Sequence, residues 1–193
     1  MNPKIIKPST HLYPKNSKVL VRVDFNVPIN NREVIDESRI LLSIPTLKLL
    51  IENNNAIVLI SHLGRPKGFD INFSMRIVLN HLKKMTFFEN IKFNFCSNFI
   101  EKNLENKKRD LKPREILILE NLRFEPGEKN SCIKFSRKIT SGLEFYINDA
   151  FAVCHRSDAS VNQMPKLFGF NKLPGLLLQK EIKELSKVIE LKN

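Results

Sequence analysis

The run Ala56-Ile57-Val58-Leu59-Ile60 stops abruptly at Ser61-His62-Leu63-Gly64-Arg65-Pro66-Lys67. Five apolar residues in a row, bounded by a polar loop, read as a strand buried on both faces, the kind that parallel sheets contain. The loop sets His62 and Arg65 side by side. Gly64 permits a sharp turn, and Pro66 biases Arg65 toward an extended backbone. A buried strand that opens into a cationic loop is where an open α/β sheet takes an anionic ligand.

The pattern recurs three times. Residues 18–23 lead into Asp24-Phe25-Asn26-Val27-Pro28, and residues 115–119 into Glu120-Asn121-Leu122-Arg123-Phe124. Residues 144–147 lead into Asn148-Asp149-Ala150-Phe151-Ala152-Val153-Cys154-His155-Arg156. In a parallel sheet the carboxyl ends of the strands share one edge. Asp24, Asn26, His62, Arg65, Arg123 and Arg156 are therefore expected to converge, although the chain separates them widely.

Helix-like segments alternate with these runs, which predicts βαβ units. Residues 38–53 read as a helix, with Ser43 or Ile44 as cap region and Pro45 in its first turn. Residues 74–85 form an amphipathic pattern with Ser74 as N-cap. Residues 91–95 alternate like a strand, and 97–109 and 131–142 read as helices, the second ending at Gly142. Gly64 and Gly127 are expected in turns, and Glu120 and Asn121 are expected to brace their loop. Residues 176–191 form the last helix, with an apolar stripe at Leu178, Ile182, Leu185 and Ile189. The chain ends on it without a C-cap, so that end is expected to be a cut one.

At 193 residues and 42% hydrophobic content, the chain suits one domain with a substantial core. No apolar run approaches the roughly 20 residues that span a bilayer, and the first residues lack a signal peptide's apolar stretch. Cys96, Cys132 and Cys154 are odd in number and far apart. That pattern predicts reduced thiols in a cytoplasmic protein, not a disulfide scaffold or zinc cluster. A catalytic Cys154 beside His155 remains an alternative, but the strand-end loop accounts for the pair without it. The net charge of +12 fits a solvated basic surface, a funnel for an anionic ligand, or nucleic-acid binding. The basic residues are dispersed and form no long tract, so the charge carries little functional weight.

Three arginines and a histidine at one edge suit a phosphate together with a carboxylate, because guanidinium forks match both bidentately. Asp24 and Asn26 have the chemistry to orient a hydroxyl; a pair between Asp24 and a neighbouring arginine is the lesser alternative. For His62 the lesser alternative is a helix cap or a buried carbonyl. Arg39 reads locally as an ordinary exposed helix residue. No Walker-type Gly-Lys-Ser/Thr loop or dinucleotide fingerprint is present. By themselves these residues specify an anion-binding α/β domain and no reaction.

Several motifs in register carry a resemblance to a known family. They are Arg22-Val23-Asp24-Phe25-Asn26-Val27-Pro28, Arg39-Ile40, Ser61-His62-Leu63-Gly64-Arg65-Pro66-Lys67-Gly68, Leu119-Glu120-Asn121-Leu122-Arg123-Phe124, Asn148-Asp149-Ala150-Phe151 and His155-Arg156. From about residue 4 to its end the chain resembles the N-terminal half of the phosphoglycerate kinase family. The resemblance implies a Rossmann-like parallel sheet flanked by helices. It implies a phosphoglycerate-binding domain over residues 1–175, the start of an interdomain helix over 176–193, and a nucleotide domain that these residues do not include.

The implied reaction is phosphoryl transfer between 1,3-bisphosphoglycerate and ADP, giving 3-phosphoglycerate and ATP, by a cytoplasmic glycolytic kinase working as a monomer. Mg²⁺ with ATP or ADP would be bound by the other half, with no metal, nucleic acid or membrane bound by this one. The implied substrate residues are Asp24, Phe25, Asn26, Arg39, His62, Leu63, Gly64, Arg65, Arg123 and Arg156. The resemblance gives Arg39 a place near the transferring phosphoryl, as the catalytic residue, against its bland local reading. The family commonly continues His-Arg-Ala-His, whereas His155-Arg156 is followed here by Ser157-Asp158. This acid is expected to weaken the basic patch or to pair with one of its arginines. A chain with this half alone is expected to be inactive, and a stand-alone anion-binding module from a truncated gene is the alternative.

Overall fold

The computed structural model describes residues 13–98 and 102–190. Six parallel strands form the central sheet: β1 (Lys18–Arg22), β4 (Ala56–Ile60), β5 (Phe93–Cys96), β6 (Ile116–Leu119), β7 (Phe145–Asn148) and β8 (Lys172–Pro174). Their order is β5-β6-β4-β1-β7-β8. The registers Lys18↔Ala56 and Val19↔Phe145 bring β4 and β7 to end level with β1. A separate hairpin joins β2 (Ile29–Asn30) to β3 (Glu33–Val34). Its turn residues Asn31 and Arg32 both have positive φ, as a tight primed turn requires. Only two residues long on each side, this hairpin has no alternation by which a sequence reading could find it.

Both faces of the sheet are covered, which is why the central strands β4 and β6 are apolar throughout. Val19, Val21, Ile57 and Leu59 pack with Leu47 and Leu50 of α1 (Ser38–Glu52) and with Val78 and Leu82 of α2 (Met75–Leu82). Leu20, Val58 and Ile60 face the other way. They pack with Leu104 of α3 (Lys102–Asp110), Ile139 of α5 (Ile133–Thr140) and Ala159 of α6 (Ala159–Asn162). The one-turn helix α4 (Pro126–Lys129) precedes α5, and α7 (Leu176–Glu190) packs beside α1.

Local chemistry explains some boundaries. The Ser74 hydroxyl accepts from the Arg76 amide at 3.2 Å and caps α2 as expected. Gly142 has a φ of +74° just past α5, two residues beyond the helix's last residue. Two expectations fail. Pro45 lies inside α1, not in its first turn, and the helix begins at Ser38. Pro45 offers no amide to the Leu41 carbonyl, and both residues are exposed, where the loss of one helix hydrogen bond is tolerated. Gly127 is helical, within α4, and a Cβ there would come 2.7 Å from Phe135, so it serves close packing instead of a turn.

The last helix is docked through its start. Asp149 Oδ1 accepts from the Leu177 amide at 3.0 Å, and the Thr46 hydroxyl accepts from the Leu176 amide at 2.9 Å. A Cβ on Gly175 would fall 2.1 Å from Asp149 Oδ1, so only glycine lets the carboxylate approach. Burial pushes the Asp149 carboxyl up to about 7. Of the expected apolar stripe, Leu178 is buried while Ile182 and Leu185 are exposed. The Ile189 side chain, residues 1–12 and residues 99–101 of the expected helix over 97–109 lie outside the described residues.

Candidate functional site

β1 and β7 are neighbours whose exits diverge. The chain leaves β1 for β4 on one side and leaves β7 for β8 on the other. Such a divergence opens a crevice at the carboxyl edge of the sheet. The loops after β1, β4, β6 and β7 meet there, and they carry the residues predicted to converge.

The centre of this edge is a buried guanidinium. Arg22 closes β1 after the apolar run Val19-Leu20-Val21 and is wholly buried. Its Nη2 lies 2.8 Å from His62 Nδ1, its Nε donates to the Ser160 hydroxyl at 3.1 Å, and its Nη1 donates to the Val23 carbonyl. A guanidinium is only ever a donor, so His62 Nδ1 must be the acceptor. Burial first, then the charges of Arg22, Arg123, Arg156 and Arg39, hold the imidazole down at about 2, far below its usual 6.5. His62 is therefore neutral at physiological pH. Neither the helix cap nor the buried carbonyl that its sequence also suited is its partner.

Around this centre the loops lock to one another. The Gly64 amide donates to Asn26 Oδ1 at 2.8 Å, and Arg123 Nη1 donates to the Gly64 carbonyl at 2.6 Å. Gly64 has a φ of +62°, and a Cβ on it would strike the Phe73 ring at 2.3 Å, so this turn requires glycine. Asn121 accepts from the Leu63 amide and donates to the carbonyls of Leu63 and Phe73. Glu120 accepts from the Ser74 hydroxyl and the Met75 amide, both at 2.7 Å. These two residues brace the loop as expected. Phe25 and Leu63 turn their side chains into the apolar core, so only their backbone faces the edge's chemistry.

Asp24 pairs with Arg39. That is the neighbouring-arginine pairing its sequence suited, and it holds Arg39, 48% exposed, against the loop after β1. Arg65 is exposed, and its charge also acts on Arg123. Arg123 is buried, and its Nε has no hydrogen-bond partner; the same holds for Arg156 Nε. Burial and the Arg156 charge pull Arg123 below its ordinary value, while Asp158 opposes them. Asp158 thus offsets part of the repulsion, yet among the described residues it forms no ion pair. Unpartnered buried donors are costly, so two of them among mutually repelling arginines mark a place suited to an anion.

Three further residues of this cluster escape a sequence reading: Arg22 as a site residue, Ser160 and Glu128. The signal for Arg22 was available, because a charge at the end of a buried strand must find a partner. Nothing local flags Glu128 or Ser160. Open depressions beside the β2–β3 hairpin, lined by Ile29, Arg32, Asn72 and Phe73, contain none of the edge residues. Convergent charge locates the site better than concavity does. Among the described residues no three acidic, histidine or cysteine side chains gather as a metal site.

Comparison with known proteins is consistent with this geometry. The family model described as phosphoglycerate kinase matches residues 10–193. The chain is 42% identical over 192 residues to a phosphoglycerate kinase of a Nitratiruptor species, covering 98% of this chain and 47% of that relative. It is 37% identical over 177 residues to one from a Wolbachia strain of Drosophila simulans, covering 92% and 43%. Among solved structures, phosphoglycerate kinase from Coxiella burnetii superposes with a TM-score of 0.75 at 26% identity, over 90% of this chain and 42% of that one. The Pyrococcus horikoshii OT3 enzyme gives 0.73 at 29%, over 90% and 43%. The chain spans about half the length of the curated relatives it matches, and nothing in these matches favours a stand-alone module. With the family's motifs gathered at one sheet edge and a match along nearly all of its length, the chain belongs to the phosphoglycerate kinase family.

Proposed function

We propose that this chain is the phosphoglycerate-binding half of a phosphoglycerate kinase. On this reading residues 1–175 form the substrate domain and 176–193 begin the connection to a nucleotide domain. The observation that carries the proposal is the group of guanidiniums at the carboxyl edge of the sheet, two of them with buried, unpartnered Nε donors. Arg65, Arg123 and Arg156 take the phosphate and carboxylate of 3-phosphoglycerate, with His62 as a neutral donor. Asp24 and Asn26 orient the hydroxyl, and the backbone at Phe25, Leu63 and Gly64 shapes the rim.

The residue list suits the chemistry. In the ATP-consuming direction the nucleophile is a carboxylate, already ionised at neutral pH, so no general base is needed. Positioning and stabilisation of the moving charge remain, and arginine supplies both. Arg39 is assigned to the transferring phosphoryl. Family chemistry brings ATP or ADP with Mg²⁺, and the described residues offer no acidic cluster to hold the metal. The protein is expected to act in the cytoplasm as a monomer without nucleic acid. No helix among the described residues is long and apolar enough to cross a membrane.

The test is a coupled assay of ATP-dependent turnover. The 193-residue chain alone is expected to match the buffer control. Fused to the nucleotide half of the Nitratiruptor relative, it is expected to turn over. Activity of the chain alone would refute its proposed dependence on a second half, and an inactive but folded fusion would refute the functional reading.

A further inference from the structure

Arg22 is a fully buried cation, and among the described residues no carboxylate is in hydrogen-bond contact with it. A carboxylate reaches it through one intervening residue. The Ser160 hydroxyl, which accepts from Arg22 Nε at 3.1 Å, donates to Glu128 Oε1 at 2.5 Å. The Ser160 amide donates to Glu128 Oε2 at 2.9 Å. Both oxygens of Glu128 therefore receive a donor; burial raises its carboxyl above the ordinary value, while the Arg22 charge and the two Ser160 donors pull it back toward the ionised form. Glu128 is 1% exposed and Ser160 wholly buried, so neither touches the edge where a ligand would lie. Tyr146 donates to the Ser160 carbonyl at 2.6 Å and fixes that residue's backbone.

The bonds have a direction. Hydroxyl to carboxylate leaves the Ser160 lone pair for Arg22 Nε. Arg22 held in that pose has its Nη2 aimed at His62 Nδ1, and a guanidinium in that place allows only one neutral tautomer. We infer that Glu128 and Ser160 are positioning residues that act through Arg22 to lock His62 in the tautomer with its proton on Nε2. The buried acid also offsets the buried cation, which would otherwise stand uncompensated. His62 then offers one fixed N–H donor and never competes for a ligand's charge by protonating. The consequence for binding rests on the functional reading above; the tautomer itself does not.

The test is two-bond ¹H–¹⁵N correlation of the histidine rings in the labelled full chain, with no ligand. Wild-type His62 is expected to show an unprotonated Nδ1 and a protonated Nε2, unchanged from pH 8 to 5. Ser160→Ala and Glu128→Gln are each expected to give a mixture of tautomers, and Ser160→Thr to restore the wild-type pattern. Tyr13→Phe, which removes a hydrogen bond to the Pro174 carbonyl and involves none of Arg22, Ser160 and Glu128, is expected to leave it alone. In parallel, 3-phosphoglycerate affinity is expected to fall roughly three- to tenfold in the first two variants, the worth of one hydrogen bond. A protonated Nδ1 in the wild type overturns the inference even if every variant fails to fold. So does an unmoved tautomer in folded Ser160→Ala and Glu128→Gln. Absence of binding by the wild type would instead overturn the functional reading and leave the tautomer result standing.

Discussion

Replacing Arg22 by methionine is expected to destabilise the folded chain by about 3–5 kcal/mol, as removal of one partner from a buried charged network does. Methionine keeps much of the volume, so the loss is electrostatic more than a cavity effect. Glu128 would remain buried with Ser160 as its only donor, and the Val23 carbonyl and His62 Nδ1 would lose theirs. For a domain whose total stability is typically about 5–15 kcal/mol, that is a large share. Urea unfolding is the check. Adding Glu128→Gln to Arg22→Met is expected to recover part of the loss, because the stranded charge is then gone. A loss under about 1 kcal/mol would mean that Arg22 is solvated or otherwise compensated.

Arg39→Ala is expected to cost rate far more than substrate affinity. Its pair with Asp24 joins a half-exposed guanidinium to a buried carboxylate, so folding is expected to lose more than the about 0–1 kcal/mol of an exposed pair, and urea unfolding separates that loss from the kinetics. If Arg39 meets the moving phosphoryl, its contribution appears in the transition state. Removing one such donor typically lowers kcat about 10²–10³-fold. In a fusion carrying a nucleotide half, kcat should therefore collapse while KM for 3-phosphoglycerate moves little. A raised KM with kcat intact would place Arg39 in ground-state binding.

The scaffold was legible because its signals are one-dimensional. Apolar runs such as Ala56–Ile60 and Ile116–Leu119 need no partner to be recognised, and parallel pairing puts all their exits on one edge. The short edge strand β8 and the two-residue strands of the hairpin carry no such pattern. Pro45 misled because proline favours a first turn, yet an exposed helix face tolerates it. Gly127 misled because the contact that requires it, with Phe135, is tertiary.

The site was legible to a similar depth. Residues at the ends of strands were found because the edge gathers them. The support beneath them was not: Glu128 lies on a one-turn helix and Ser160 far along the chain, and only the fold shows that they meet under Arg22. The same limit hid the role of Asp149, whose side chain reaches α7 through the gap that Gly175 leaves.

Calorimetric titration of 3-phosphoglycerate into the 193-residue chain, repeated across a salt series, tests the central claim most directly. Saturable one-site binding that weakens with salt is predicted, lost in Arg123→Ala and kept in Arg137→Ala on α5. The absence of saturable binding by the folded chain, affinity unchanged by Arg123→Ala, or tighter binding of duplex DNA than of 3-phosphoglycerate at every salt concentration would contradict it.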